Sequence, residues 1–568
     1  MVTKEASVRR SVVSFAVRSS SGALLAAIAA VLSSPAAHAG GPPVLQPHAG
    51  DPLLGLTRAE RALFDAGKVA YSTPLTEAQG LGPIFNKAGC FSCHSSPLGG
   101  WGSIAVTRFG TEDREGNFNP LNELGGSLLQ VSAISPTCME FVPPEATVVG
   151  TRVTNSSMAF GLIEAIPDAA IIANSDPDDL NGDGISGRVR MNEPFETPGV
   201  FKAGRFGYKS QVSTVLTFTA DASLNEMGLT NRFLTTENAP NGDAALLGLC
   251  DNVPDPEDGP DAQGYDFIDR VTHFQRYLAQ PPQTPKTGMA GETLFNSIGC
   301  AKCHVAQWTT ARDRTLEGAI RGKTIRPYSD FLLHEMGTLG DGIADGFASG
   351  AEFRTPTLWN VRSRDPMLHN GSIGGGTFPD RVTAAIAAHG PFGEGAASAA
   401  NFNALNATQK SQVVAFLDSL GRVEFDTDGD NQINYADVIG VRDCYGSTGL
   451  TPNDACAVAD IDANGTINLI DALAFDQAYP GPSTDCNGNG IPDIADIVMG
   501  TSSDSDQDGV PDECGACPAD LDQSGSVDAA DLGILLGSWG GPAADLNGNG
   551  FVDAADLGIL LGAWGACP

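Results

Sequence analysis

The sequence predicts a mainly α protein in which two large, loop-rich units precede a set of small loop-and-helix repeats. Three observations carry this prediction: Cys-x-x-Cys-His motifs at Cys90 and Cys300, apolar residues at helical spacing around them, and Asp- and Asn-rich repeats from Asp426 onward. At 568 residues the chain exceeds one ordinary core and favours about three or four folded units. Its 42% hydrophobic and 18% charged residues are those of a folded protein.

Arg9, Arg10 and Arg18 precede an apolar run, Ala23 to Leu32, that closes in Ala37-His38-Ala39, so residues 1–39 are expected to be an export signal peptide cut before Gly40. Arg9-Arg10 also allows a twin-arginine route. The run is too short to span a bilayer comfortably, and no membrane span is expected after its removal. Residues 40–55 form a Gly/Pro-rich leader. Helices are expected at Thr57 to Tyr71, Gly264 to Leu278, around Gly291 to Ile298, and at Thr408 to Leu420, where Val413, Val414, Phe416, Leu417 and Leu420 recur at helical spacing. Asp113 to Pro144 and Asn238 to Asp261 are rich in Gly, Pro, Asn and Asp and read as long loops.

Cys90-Phe-Ser-Cys93-His94 and Cys300-Ala-Lys-Cys303-His304 each place two thiols where they can form thioethers to one porphyrin, with the adjacent imidazole able to ligate its iron. Two copies behind an export signal leave a zinc or dithiol reading little room. Two covalently bound haem c groups follow, in cytochrome c-like domains expected over 56–280 and 281–424. The sixth iron ligand decides between electron carriage and reactivity. His48 and His273 read as structural. His334, His369 and His389 all follow the second motif, so the first haem is short of histidine.

Eight further cysteines, an even number, fit disulfides formed outside the cytoplasm. Cys444 with Cys456, Cys486 with Cys514, and Cys517 with Cys567 are neighbours within one repeat unit, while Cys138 and Cys250 stand apart. The localisation expected is periplasmic, extracellular or cell-surface.

The net charge of −35 is concentrated in the tail: from Asp426 onward 24 Asp and one Glu face the single basic residue Arg442, a net of −24. Such acidity argues against nucleic-acid binding. The local pattern explains it. Repeats start at Asp426, Asp460, Asp485, Asp504, Asp520 and Asp545, with oxygen side chains at alternating positions, often Gly at the sixth, and Asp at the ninth or twelfth, which is what calcium needs from a short loop. The expected ligands are Asp426, Asp428, Asp430 and Asp437; Asp460, Asp462, Asn464 and Asp471; Asp520, Asp522 and Asp531; and Asp545, Asn547, Asn549 and Asp556. The units are a pair over 425–480, linker repeats over 481–516 and a second pair over 517–568.

A set of segments gives this chain a family likeness from about Leu56 to Leu420. It includes Gly82-Pro-Ile-Phe-Asn, Gly161-Leu-Ile-Glu164-Ala-Ile-Pro167, Asp183-Gly-Ile-Ser-Gly-Arg188, Gly204-Arg205-Phe-Gly-Tyr208-Lys209, Pro327-Tyr328-Ser-Asp330-Phe-Leu-Leu-His334, Arg354-Thr-Pro-Thr-Leu-Trp359, Leu368-His369-Asn370-Gly371 and Ala388-His389-Gly390. On these the chain resembles the bacterial di-haem oxidoreductases, peroxidase-like proteins related to di-haem cytochrome c peroxidases and MauG-type enzymes. The resemblance implies His304 and His389 as the axial pair of an electron-storing second haem, with His369 lining its pocket. It implies a reactive first haem served by Glu164 as acid-base carboxylate, with Arg152 stabilising developing charge. Met158 as a thioether ligand would close that site instead. Tyr208 and Asn370 depart from the family's Trp and Asp. Asp179-Leu-Asn181-Gly-Asp183-Gly184 resembles a calcium loop but carries Arg190 at position twelve.

The tail resembles dockerin-type calcium repeats, with Asp504-Ser-Asp506-Gln-Asp508-Gly-Val-Pro-Asp512 closer to a thrombospondin type 3 loop, and implies a cohesin-like surface partner. The expected electron donor is a small redox protein or a quinol-linked one, and the oxidant hydrogen peroxide or another small molecule. Two functions stay open: a peroxidase-like oxidoreductase, and a non-enzymatic electron-transfer cytochrome anchored extracellularly through its calcium-binding repeats.

Overall fold

Thr57 opens the first helix, Arg58–Ser72, with a capping box in which its hydroxyl accepts from the Glu60 amide and the Glu60 carboxylate accepts from the Thr57 amide. The helix buries Phe64, Gly67 and Tyr71 against the helix Phe267–Tyr277, where Phe274 lies 5.2 Å from the Phe64 ring and 4.7 Å from the Tyr71 ring. Gly67 permits this approach, because a Cβ there would run into the Arg270 carbonyl and the Phe274 amide. A third helix, Val215–Met227, packs on Phe267–Tyr277. Further along, Ala290–Ser297 packs on Ala407–Ser419, with Phe295 and Phe416 rings 5.4 Å apart, and Phe378–Ala388 completes that group.

These elements belong to a computed structural model that describes residues 43–566 apart from positions 391, 482, 515, 516, 523 and 525. The expected signal peptide lies outside the described residues, as does Cys567 of the expected Cys517–Cys567 pair. Four expected helices form within a few residues of their expected limits. The protein is helical with some sheet, and the sheet departs from the mainly α expectation. Ala105–Glu112 pairs antiparallel with Val148–Val153, from Ala105 opposite Val153 to Gly110 opposite Val148. Phe118–Asn119 and Leu128–Leu129 also pair with Ala105–Glu112, so the segment read as a long loop contributes short strands. Leu333–Glu335 pairs with Glu352–Arg354, placing His334 opposite Phe353.

Four buried clusters organise the chain. The first gathers Phe64, Ile163, Phe206 and Phe274 with Trp308, Ile320, Phe331 and Trp359 from beyond residue 281. The second holds Phe295, Tyr328, Phe402 and Phe416. The third holds Phe425, Val438, Val441 and Phe475 and takes in Ile494 and Val498 of the helix Asp493–Met499. The fourth holds Val527, Leu535, Val552 and Leu560. Cys444–Cys456 and Cys486–Cys514 are disulfides, and Cys138 is joined to Cys250. Among the described residues no helix is long and apolar enough to cross a membrane.

Candidate functional site

Each Cys-x-x-Cys-His segment begins as a single 3₁₀ turn, Cys90–Ser92 and Cys300–Lys302, which brings both thiols and the following imidazole to one side. Gly102 lets the chain fold back over the first turn, since a Cβ there would meet the Cys93 carbonyl. All four cysteines are free thiols. Burial pushes Cys90 and Cys300 up to about 12 and Cys93 to about 11.

The histidines are set as ligands. The Nδ1–H of His94 donates to the Gly100 carbonyl at 3.3 Å, that of His304 to Tyr328 at 2.9 Å, and that of His389 to Ala385 at 2.8 Å. A carbonyl can only accept, so Nδ1 carries the proton and Nε2 keeps its lone pair, the tautomer that binds a metal. Burial lowers His94 and His304 to about 4 and lowers His389 as well, keeping the three rings neutral.

His94, Cys90 and Cys93 line a cavity of about 1270 Å³ including its open mouth, and His304, Cys300 and Cys303 line another of about 1020 Å³. The donor set, two thiols and a neutral imidazole in the first cavity and two thiols and two neutral imidazoles in the second, fits covalently held haem. Cys90, Cys93 and His94 would hold one group, and Cys300, Cys303 and His304 the other. The second cavity is mostly apolar, with Phe295, Leu358, Met367, Val382 and Ile386 in its wall, and His389 stands in the same wall as His304.

His334, also in the second wall, is no ligand in this arrangement. Its Nε2–H donates to Asp330 at 2.8 Å and its Nδ1–H to Glu394 at 2.7 Å. Burial opposes the charged ring, but the hydrogen bonds to Asp330 and Glu394 outweigh it and push His334 up to about 12. It is an imidazolium clamped between two carboxylates.

The first wall differs in kind. His94 is its one histidine among the described residues, and the helix Val215–Met227 supplies Asp221, Glu226 and Met227. Burial raises Asp221 to about 6 and raises Glu226, whose Oε2 accepts from Asn86 at 2.7 Å. Arg108 stands in the same wall and offsets both electrostatically. Arg108, Gln211, Asp221 and Asn225 also line a neighbouring polar cavity.

Arg152 is in the first wall, buried and ion-paired to Asp341 at 2.7 Å. Glu164 is not in that wall. Its carboxylate accepts from the Val215 amide at 2.9 Å and pairs with Arg276. Met158 lines a separate small cavity with Trp101, Phe160 and Arg205, whereas Met227 lines the first.

Between the cavities runs an aromatic contact. Tyr208 is in the first wall and Phe353 in the second, their rings edge to face at 6.3 Å. His369 stacks on Phe353 at 4.1 Å and lies 6.2 Å from Tyr208, outside the second wall.

The expected calcium loops close as Asx-rich turns. Asp426, Asp428 and Asp437 bring carboxylate oxygens within 4.8 Å of one another, as do Asp460, Asp462 and Asp471. In the last pair, the Leu521 and Leu546 amides donate to Asp531 and Asp556 at 2.6 and 2.9 Å, and Asp520 and Asp545 accept from Ser524 and Asn549. The loop at Asp426 differs: Arg362 reaches into it, donating to Asp426 at 2.9 Å, to Asn431 at 2.8 Å and to the Gly429 carbonyl at 2.7 Å. In the Asp179 loop, Asp183 is held by Lys302, and Arg190 turns away to Asp345.

Residues 141–420 match the model of a family described as "Di-haem oxidoreductase, putative peroxidase". That stretch holds the second motif, His389 and much of the first wall. Solved structures similar to the chain include hydrazine synthase of Kuenenia stuttgartiensis, pressurised with xenon, at 13% identity, covering 69% of this chain and 98% of that one, with a TM-score of 0.28. Another is a MauG-like protein associated with microbial copper homeostasis, at 15% identity, covering 66% and 94%, with a TM-score of 0.29. No curated protein matches the chain. The family match over residues 141–420, a little under half of the chain, supports a di-haem redox function, and the two thiol-and-imidazole cavities are consistent with it.

Proposed function

We propose that the chain is an exported di-haem c-type cytochrome acting as a peroxidase-like oxidoreductase, with the second site as electron reservoir and the first as reactive centre. The observation that carries this is the difference between the two walls: His304 and His389 share the second, whereas His94 in the first is accompanied by Asp221 and Glu226. Haem at the first site would supply the redox-active iron that peroxide reduction needs. The chain's own residues supply the rest. A carboxyl group near 6 can give and retake a proton at neutral pH, the work peroxide scission requires, and Asp221 is such a group. Arg108 keeps positive charge beside it, and the polar cavity that shares Arg108, Gln211 and Asp221 offers a small polar oxidant a way in. Arg152 adds charge to the wall, while Glu164 holds Arg276 and the start of Val215–Met227. Tyr208 and Phe353 bridge the walls for electrons.

Met227 favours the rival reading, an electron-transfer cytochrome, because it is a thioether residue that lines the first cavity and could complete a closed iron site. Spectra of the purified protein discriminate the two. A high-spin signal and reaction with peroxide in some redox state are expected; only low-spin signals and inertness to peroxide in every redox state would sink the enzyme reading.

The tail is read as calcium-binding and as a docking element, outside the cytoplasm. Its two helices of identical sequence, Ala529–Gly537 and Ala554–Gly562, expose Leu536 and Leu561, and Trp539 and Trp564 are exposed just beyond them. Such repeated apolar positions suit a cohesin-like surface partner. The electron donor is a small redox protein or a quinol-linked one.

A further inference from the structure

Away from both haem cavities and from the tail, Glu237, Asp255 and Glu257 bring one carboxylate oxygen each within 4.8 Å of the others. Two ligands on opposite sides of a calcium ion, each at about 2.4 Å, span about that distance. Glu237 is only 7% exposed, and among the described residues neither of its oxygens meets a hydrogen-bond donor, the neighbouring Glu257 being able to bond it only if one of the two carboxyls holds a proton. A buried carboxylate without partners is strongly disfavoured by lost solvation unless it is neutralised. The charges facing Glu237 make matters worse, because Glu257, Asp255 and Asp251 are all acidic. The Thr230 hydroxyl lies 2.7 Å from Asp255 and 2.9 Å from Glu257, but it has one proton and can satisfy only one of them.

We propose that Glu237, Asp255 and Glu257 form a calcium-binding site, with the Thr230 oxygen at its edge. The oxygens are hard, the negative charge of three carboxylates is more than enough to balance a divalent ion, and exposed Asp255 leaves an approach for the ion and for the waters that complete its shell. The site would clip together two loops that follow and precede the helices of the first haem cavity. Thr230 and Glu237 lie beyond Val215–Met227, and Asp255 and Glu257 lie ahead of Phe267–Tyr277, whose first amides are capped by Asp258. The loops already touch where the Asp258 amide donates to the Thr230 carbonyl at 3.0 Å.

Without a cation the crowding is relieved by a proton: burial and the facing carboxylates push Glu237 up to about 10. Hydrogen–deuterium exchange on the full-length, haem-loaded protein at pH 7, with calcium chloride or with EGTA, separates the two. Calcium at roughly ten times its Kd is expected to slow exchange about tenfold in peptides covering 228–239 and 251–258. In Glu237→Gln and Glu257→Gln that response disappears, while the calcium response of peptides over 460–471 stays and haem absorbance is unchanged. Identical exchange of 228–239 in wild type with and without calcium overturns the proposal and leaves Glu237 as a buried acid holding a proton. A response retained in both variants overturns it as well. The wild-type comparison decides even if a variant folds poorly.

Discussion

At the scale of single residues, the two histidines of the second cavity are the most direct targets. With Nδ1 of His389 committed to the Ala385 carbonyl, its lone pair has no role in the protein's own hydrogen bonding. His389→Ala should leave haem attached through Cys300 and Cys303, convert the low-spin signal of the second haem in electron paramagnetic resonance to high spin, and spare the high-spin signal of the first; an unchanged spectrum would refute the pairing of His304 with His389. Asp221 makes a pH prediction. Its folded pKa, about 6, is raised above the unfolded value by burial, so the native state binds the proton more tightly. Its contribution to stability is therefore best below about 4 and is lost as pH rises through about 6, and Asp221→Asn should flatten that part of the stability profile. If Asp221 moves the proton, the same variant should lose roughly 100-fold or more in peroxide turnover and the rate inflection near pH 6. The Cys-x-x-Cys-His residues were legible because their chemistry is local in sequence. Asp221 and Glu226 were not, since their meaning comes from burial and from a cavity assembled by distant segments.

At the scale of elements, the helix that carries Asp221, Glu226 and Met227 shows why part of the site escaped a reading of the sequence. Val215, Thr217 and Thr219 are β-branched and weak helix formers. Buried residues occur on several faces, including Val215, Thr217, Ala220, Ser223, Leu224 and Met227, so no single apolar stripe announces it. Thr214 starts it with a side-chain cap and Gly228 stops it in the left-handed conformation, which are the local signals present. Arg58–Ser72 and Ala407–Ser419, by contrast, carry capping boxes and fall close to their expected limits. The pairing of Ala105–Glu112 with Val148–Val153 was hidden by the turn residues between them. Cys138 and Cys250 close a loop of 112 residues in sequence separation. Loop-closure entropy assigns such a bridge about 4–5 kcal/mol. Replacing both cysteines by Ala should lower the calorimetric Tm by roughly 10 °C with both haems still attached; a Tm within a degree of wild type would show that the bridge constrains little.

At the scale of the whole molecule, the question is how a tail with 24 Asp, one Glu and one basic residue stays folded. Like charges this dense repel, and a bound cation at each loop offsets the repulsion and couples loop closure to ion binding. The loops are not equivalent, however. At Asp426 the guanidinium of Arg362 already bonds Asp426, Asn431 and the Gly429 carbonyl, and Arg422 lies 3.6 Å from Asp426, so positive charge from outside the tail stands among the loop's oxygens. The loops at Asp460 and Asp545 are closed by backbone amides and by the Asn464 and Asn549 side-chain amides, all neutral donors. Chelation should therefore open the tail unevenly. In EGTA, limited proteolysis is expected to cut first at the Asp460, Asp520 and Asp545 loops, leaving a resistant core that includes the Asp426 loop. Calcium should abolish those cuts, and Arg362→Ala should extend them to 426–437. Equal resistance with and without calcium would count against every ligand assigned in the tail. Equal opening of all loops, with no effect of Arg362→Ala, would instead show that the guanidinium does not stand in for an ion.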